Sequence, residues 1–449
     1  MGKRDHSKAA GSNPARETVY ASGNFGKNIL WHSADVALLF VFTELLGIDP
    51  RIAGTLILAS LVFDGILDPV VGLLAERLRT RWGRYGPLLL VGAPLSAVTF
   101  TWLFALPYLQ ISNLWVVAAS LVAFRAAYTL IDIPHNAMLS GITQCSESRS
   151  HIAGLRFLFS SIAALVLSLS ISRMVEDQQA LSPFSLLVFG ASAAASSLLV
   201  LLLVWQVFRP FDQPLERGRE MPSVRTIWRA IVRNRQFVLV ITISLVGSLT
   251  LPLFAKSVLY FTRYVLGDVG VTSYCLTAMV FGQLCALPWW MHVAKSRENA
   301  VALRWAHVTL LASSLLFLAF GANSAAAAIA LSFFVGAAAS GVYSLVWAMI
   351  ADCVDIGERI SGTRIEPMLF ALATFVQKSA IGLGAWLFGM GLASSGYTPG
   401  TAPTNLLDLT IRFFGLGMPA IGAVVCILLL KRYSITHDEH TKTVRLLRT

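Results

Sequence analysis

Charge is scarce in this chain: of 449 residues only 13% are Asp, Glu, Lys or Arg, against 56% that are hydrophobic. A soluble chain of this length would form two or three domains with polar surfaces, so a soluble protein is excluded. Cysteine is sparse as well. Cys145, Cys275, Cys285, Cys353 and Cys426 are scattered and odd in number, which implies neither a disulfide framework nor a metal site. No G-x-x-x-x-G-K-[ST] phosphate loop occurs, so no ATP site is expected. His437-Asp-Glu-His440 in the polar tail lacks the spacing of a zinc-protease helix, and no zinc-finger or RNP spacing marks a nucleic-acid binder. The chain is not expected to be an enzyme or to carry a cofactor. An apolar leader is missing too: residues 1–23 are polar, and the first apolar run carries Asn28, His32 and Asp35, unlike a signal peptide.

Apolar length is what the chain has in abundance. Twelve runs of about 20 residues follow one another, the first over roughly 24–46, the second over 52–76 and the last over 405–430; each crosses a hydrocarbon core of about 30 Å when helical. The fold class expected is an all-α membrane protein with 12 transmembrane helices. One hydrophilic stretch divides the runs six and six. The organisation expected is therefore a cytoplasmic segment over 1–23, a six-helix bundle over 24–207, a central loop over 208–235, a second six-helix bundle over 236–430 and a tail over 431–449. In the loop, Arg225, Arg229 and Arg233 recur every four residues with Trp228, Ile231 and Val232 on other faces, as in a helix lying on the membrane surface. The Lys/Arg excess falls in the two terminal segments, the central loop and alternate short loops, which puts both termini in the cytoplasm. The net charge of +11 then reads as loops facing an anionic leaflet, with no nucleic acid as partner.

An ionisable residue at bilayer depth costs about 2.5–3.5 kcal/mol on insertion scales and marks a pathway or a partner. The polar residues within the runs are Asn28, His32 and Asp35 in the first, Asp64 and Asp68 in the second, Arg125, Tyr128, Thr129 and Asp132 in the fourth, Arg156 in the fifth and Lys378 in the eleventh. Asp64 and Asp68 share a helix face about 6 Å apart. Their repulsion calls for a proton or alkali cation that comes and goes, or else for a fixed salt bridge. Lys378 needs a carboxylate, and Asp64 or Asp68 is the natural one. Asn28, His32 and Asp35 form one stripe at i, i+4 and i+7. Counting about 1.5 Å per residue along oppositely directed helices brings Asp35 and Arg125 to one depth, so these two are expected to form an ion pair, as an outer gate, as an extra site for a zwitterionic or acidic substrate, or by mutual neutralisation alone. His32 is a polar lining residue or a proton relay. Glu76, Arg77, Arg81 and Arg84, with Asp352, Asp355, Glu358 and Arg364, gather at the inner ends of the second, third, tenth and eleventh runs; they are a cytoplasmic gate or a solvated face.

Several motifs in order resemble the glycoside–pentoside–hexuronide:cation symporters, the melibiose-permease-like branch of the major facilitator superfamily. They are Gly26-Lys27, Asp64-x3-Asp68-Pro69-x2-Gly72, Arg81-Trp-Gly-Arg84, Tyr128-Thr-Leu-Ile-Asp132-Ile-Pro134, Ala351-Asp-Cys-Val-Asp355-Ile-Gly-Glu358, Gly362-Thr-Arg364, Lys378 and Gly396-Tyr397. The resemblance implies the major facilitator fold, a cation site at Asp64, Asp68 and Thr129, and a sugar site lined or supported by Asn28, Asp132, Arg156 and Lys378. The chain departs from that pattern in three places. Leu67 stands where sodium-using relatives carry an Asn that supplies an oxygen, which favours H⁺ over Na⁺ because an alkali ion needs several hard oxygens. Asn28 and Asn136 stand where sugar carriers have an Asp and a Trp.

The reading that follows is a cation-coupled secondary transporter of a small polar solute, a glycoside or uronide among the candidates, working by alternating access as a monomer in a bacterial inner membrane. Its partners are a small-molecule substrate, the coupling cation and the lipid bilayer. Its expected binding residues are Asn28, His32, Asp35, Arg125, Tyr128, Asp132, Asn136, Arg156, Tyr343 and Thr374, and its coupling residues Asp64, Asp68, Thr129 and Lys378. The alternatives are a carrier of an amphiphile such as a lysophospholipid and a membrane sensor that transports nothing.

Overall fold

The computed structural model describes residues 14–78, 80, 83, 85–142, 146–176, 180–209, 229, 231–361, 366–436, 439, 442–443 and 446. Much of the expected surface helix of the central loop, Arg225 and Trp228 included, and Arg81, Arg84 and Arg364 of the expected gate, lie outside the described residues, as do the side chains of Glu76 and Arg77.

The described residues are helical almost throughout. Its long elements are α1 (Pro14–Phe40, prolonged by a π-turn over Val41–Leu45), α2 (Pro50–Arg77), α3 (Gly86–Ala105), α4 (Leu114–Ile142), α5 (Ser146–Met174) and α6 (Pro183–Phe208). They continue as α7 (Arg235–Leu266), α8 (Val271–Ser296), α9 (Asn299–Phe320), α10 (Ala325–Ser361), α11 (Glu366–Ser394) and α12 (Asn405–Leu430). Eleven of these, α2 to α12, contain a stretch long and apolar enough to cross a membrane. Large apolar side chains such as Val98, Trp115, Leu199 and Leu409 point outward, as lipid-facing helices require. A two-residue ribbon, Val175–Glu176 against Ala180–Leu181, follows α5.

α1 begins at Pro14 and not near residue 24. Its extra turns are held by tertiary contacts: buried Tyr20 stacks on His135 at 4.6 Å and donates to the His135 carbonyl at 2.8 Å. A polar composition hid this helix because its buried face answers to protein rather than to lipid.

Local chemistry sets the other starts. Asp49 caps α2, accepting from the Arg51 N–H at 2.8 Å, with Pro50 at the first helical position. Asn234 caps α7 through the Phe237 N–H at 3.0 Å and ties it to α10 by donating to the Cys353 carbonyl at 2.8 Å. Gly47, with φ 64°, turns the chain between α1 and α2, a conformation glycine adopts without strain. α7 breaks at Leu251, where Pro252 starts a second segment.

Helices α1 to α6 pack among themselves through α1–α5, α1–α6, α2–α4, α3–α4 and α3–α6, and α7 to α12 through α7–α11, α8–α10, α9–α10 and α9–α12. Among the described residues, the extensive contacts that join the sets are α2 with α11, α5 with α8, and α1 with α7. Glycine makes the tightest crossings, where small residues let backbones meet. A Cβ at Gly336 would lie 1.9 Å from the Met279 carbonyl oxygen, and one at Gly282 would lie 2.0 Å from that of Phe333. Backbone cannot yield as a side chain does, so Gly336→Ala is expected to lower stability by about 1–3 kcal/mol, read as an earlier thermal transition of the purified protein. Gly154→Ala, with nothing within 4 Å, should leave that transition in place.

Candidate functional site

A cavity of about 530 Å³ lies between the two sets of helices. Asn28, Trp31, His32 and Asp35 of α1 and Tyr128 and Asp132 of α4 line one wall; Gln283, Tyr343, Trp347, Thr374, Gln377 and Lys378 line the other. Three clusters of buried charge surround it, and each sits on helices that the crossings above hold in register.

In the first, α11 meets α2. Lys378 Nζ donates to Asp68 Oδ2 at 2.6 Å and lies 3.1 Å from Asp64 Oδ2. Thr129 Oγ1 on α4 donates to Asp64 Oδ1 at 2.6 Å. Asp64 Oδ2 and Asp68 Oδ1 accept no hydrogen bond, so two carboxylates share one ammonium and keep spare lone pairs. Arg125, one turn from Thr129, is fully buried, and its Nε and Nη1 lack partners. Its guanidinium rests 4.9 Å from the Trp31 ring centre and reaches Asp64 and Asp35 only through longer-range attraction. A buried carboxylate in excess of its ammonium is a receptor for a proton or a small cation.

The second cluster ties α1 to α4 and α5. Lys27 Nζ bonds Asp132 Oδ1 at 2.6 Å and Asn136 Oδ1 at 2.9 Å. Asn136 also donates to Asp132 at 3.0 Å and accepts from Arg156 Nη2; Arg156 Nε donates to Asn24 Oδ1 at 3.0 Å. Asn28 donates to Ser160 Oγ at 2.8 Å and to the Asn24 carbonyl at 2.9 Å. This network fixes Asp132 at the cavity wall with its charge already balanced.

The third cluster lies farther along the same helix, where α1 passes into its π-turn. Glu44, with a side chain 1% exposed, lies 3.1 Å from Arg263 Nη2 and accepts from the hydroxyls of Tyr264 and, at 2.5 Å, Tyr397. Burial, then the neighbouring Tyr260 and the Glu44 charge, raise the Tyr397 hydroxyl above the ordinary phenol range, so it remains a donor. Between this latch and the cavity, Lys256 of α7 bonds both the Asp35 carboxylate and the Asp35 carbonyl, and Thr43 bonds Tyr260 at 2.7 Å. The π-turns over Val41–Leu45 and Thr262–Leu266 carry Glu44, Arg263 and Tyr264, and such turns frequently occur at functional sites.

The profile of the MFS/sugar transport protein family matches residues 19–437. The chain belongs to this family, and it is a multi-pass membrane protein. It is 24% identical to the inner membrane symporter YicJ of Escherichia coli (strain K12), over 95% of this chain and 92% of that one. It is 24% identical to the glucuronide carrier protein homolog of the same strain, over 95% and 93%, and 23% identical to the isoprimeverose transporter of Lactiplantibacillus pentosus, over 94% and 88%. Among solved structures, the D-xylose-proton symporter superposes with a TM-score of 0.66 at 11% identity, over 94% of this chain and 98% of that one. The nucleoside transporter NupG does so with 0.63 at 14%, over 93% and 100%. At such identities these two establish the fold alone.

Against this MFS/sugar transport fold, the residues singled out from sequence divide cleanly. Asp64, Asp68, Thr129 and Lys378 come together; Asn28, His32, Asp35, Tyr128, Asp132, Tyr343 and Thr374 line the cavity with Lys378. Arg125, Asn136 and Arg156 are not among its lining residues: Arg125 is sealed behind Trp31, and Asn136 is the hub that holds Lys27, Arg156 and Asp132. Asp352, Asp355 and Glu358 lie near the end of α10, and Asp352 accepts from Asn299 at 2.9 Å.

The expected Asp35–Arg125 pair does not form. Asp35 bonds Lys256 instead, because closure of α1 on α7 brings a cation from the second set of helices to a carboxylate that depth counting had matched only within the first. Lys256 was missed altogether, and Lys27 appeared only within the Gly26-Lys27 motif, with no role. Both obey the rule that a lysine at bilayer depth needs a carboxylate, applied above to Lys378 alone.

Proposed function

We propose that this protein is a twelve-helix symporter of two six-helix bundles with both termini cytoplasmic, which couples uptake of a small polar solute of the glycoside or uronide class to H⁺. α1 is the twelfth span: its polar residues turn inward onto α4, α5 and α7, leaving lipid to the rest. The observation that carries this reading is the cluster of Asp64, Asp68 and Lys378, in which two carboxylates share one ammonium across the α2–α11 contact that joins the bundles. One added proton balances it. Leu67 offers no side-chain oxygen beside Asp68, and the Thr129 hydroxyl proton is already directed at Asp64, which leaves a poor shell for Na⁺ and a sufficient one for H⁺.

The relatives named above as a symporter, a glucuronide carrier homolog and an isoprimeverose transporter support the solute class. Tyr343 and Trp347, the latter stacked on Phe370 at 5.9 Å, crowd one wall and favour a compact polar solute over an acyl chain. Latched through Glu44, the cavity is shut on the outer side, and rocking of the bundles exposes it there.

The test is uptake into proteoliposomes of labelled D-xylose, methyl glucuronide and isoprimeverose under an imposed pH gradient or an imposed Na⁺ gradient. Accumulation of at least one solute driven by the pH gradient, and abolished by a protonophore, is the expected result. Accumulation that needs Na⁺ would overturn the ion assignment, and no gradient-driven uptake of any sugar would overturn the solute class.

A further inference from the structure

Two polar stations stand on the same wall of the cavity. The near one is built around Asn28 and Asp132. The far one is Asp35, seven residues on along α1 and so about 10 Å away, with His32 between them on the same stripe. Asp35 is held by Lys256, whose side chain is 1% exposed and whose ammonium bonds both its carbonyl and its Oδ1. Among the described residues none donates to Asp35 Oδ2, and none bonds either ring nitrogen of His32, although both residues line the cavity. A carboxylate fixed in orientation by a buried cation, with one oxygen left for the cavity, is a pre-set hydrogen-bond acceptor. Between the stations lie the rings of Trp31 and Tyr128, 5.4 Å apart.

We propose that Asp35, positioned by Lys256 and assisted by His32, forms a second solute subsite, and that the solute is a glycoside of two linked rings whose far ring donates hydroxyls to Asp35. This rests on the glycoside reading given above and narrows it. The cavity of about 530 Å³ is lined by both stations, Asn28 and Asp132 at one and Asp35 at the other. A single ring held at the near station leaves the far carboxylate unused. Two rings engage both stations and lay an apolar ring face on Trp31. Asp35 carries the specificity because a site built to bond a hydroxyl discriminates strongly against a solute that lacks it.

Binding to the purified full-length protein by isothermal titration tests this, with D-xylose and methyl glucuronide as one-ring probes and isoprimeverose, xylobiose and melibiose as two-ring probes. Asp35→Asn strands the Lys256 ammonium, so the neutral double variant Asp35→Asn/Lys256→Met is measured beside it and decides the outcome where the single variant does not fold. At least one two-ring probe should bind the parent protein. The double variant should weaken that probe about 10- to 100-fold, the value of a hydrogen bond to a charged group, while any one-ring affinity stays within about threefold. Equal weakening of one- and two-ring probes, or no weakening, would mean that Asp35 and Lys256 only fasten α1 to α7, and the subsite would be wrong. Binding of one-ring probes alone would overturn the two-ring inference and leave the transport reading standing. No binding of any probe would overturn both.

Discussion

Asp68→Asn is expected to transport without accumulating. A proton entering down about 100 mV gains roughly 2.3 kcal/mol, and one pH unit adds about 1.4 kcal/mol. Under the proposed coupling to H⁺, a one-to-one stoichiometry would sustain several-hundred-fold accumulation in the parent protein, and the variant should fall to equality across the membrane. The reason is a count of charges. In the parent, Lys378 faces Asp68 at 2.6 Å and Asp64 at 3.1 Å, one ammonium for two carboxylates within bonding distance, with the buried Arg125 guanidinium paired to neither; on the proposed coupling, the state that rocks includes a bound proton. With Asn at position 68, Lys378 and Asp64 neutralise one another and nothing remains to bind. Exchange of labelled for unlabelled solute, which needs rocking but no gradient, should persist. Asp64→Asn leaves the same count, with Lys378 on Asp68, and should behave alike. Lys378→Met errs in the opposite direction: two apposed carboxylates hold a proton permanently, so coupling again fails. The measurement is steady-state accumulation and counterflow in proteoliposomes under a fixed pH gradient. Accumulation at the parent level by Asp68→Asn would refute the coupling scheme, and loss of counterflow together with accumulation would show that the residue serves rocking rather than coupling.

How far the site was legible follows from the range of the contacts. Asp64 and Asp68 lie four residues apart, and helical geometry alone put them on one face; Lys378 had to find a carboxylate because a lone ammonium has no place in a bilayer. These arguments are local, or depend only on solvation, and a sequence carries both. The Asp35–Lys256 pair depends on which bundle closes on which, and that contact is decided by the meeting of α1 and α7. Depth counting within one bundle offered Arg125, the nearest cation of the right sign, whereas the fold buries Arg125 behind Trp31. Glu44 and Arg263 were hidden differently. They fall at the ends of apolar runs, where a charge is ordinarily solvated, and only the two π-turns and the glycine turns at Gly47 and Gly267 fold them back into the protein. The all-helical membrane fold was readable from apolar length, except at the start of α1, where residues 14–23, half of them polar, belong to a helix shielded by Tyr20 and His135.

Glu44→Gln should unlatch the side that the proposed orientation places outside. In the closed arrangement Glu44 is buried and bonds Arg263, Tyr264 and Tyr397, groups from α7 and from the loop after α11. In any arrangement that parts α1 from α7, these groups meet water instead. The substitution keeps a carbonyl acceptor for the tyrosines and removes the charge facing Arg263, so the cost falls on the closed state alone. Truncating one partner of a buried pair costs about 3–5 kcal/mol in full. Arg263 is 15% exposed and recovers part of its solvation, which leaves about 2–3 kcal/mol, or a shift of roughly 30- to 150-fold toward the outward-open state. A single cysteine at Tyr343 in a background lacking the native cysteines reports this, as the rate of labelling by an impermeant maleimide added outside. Arg263→Gln should raise that rate similarly, and the double variant should add little, because both single changes break one interaction. Unchanged labelling in both single variants would mean that the cluster stiffens the loop after α11 without gating. Faster labelling with strict additivity would point to two separate contacts rather than one latch.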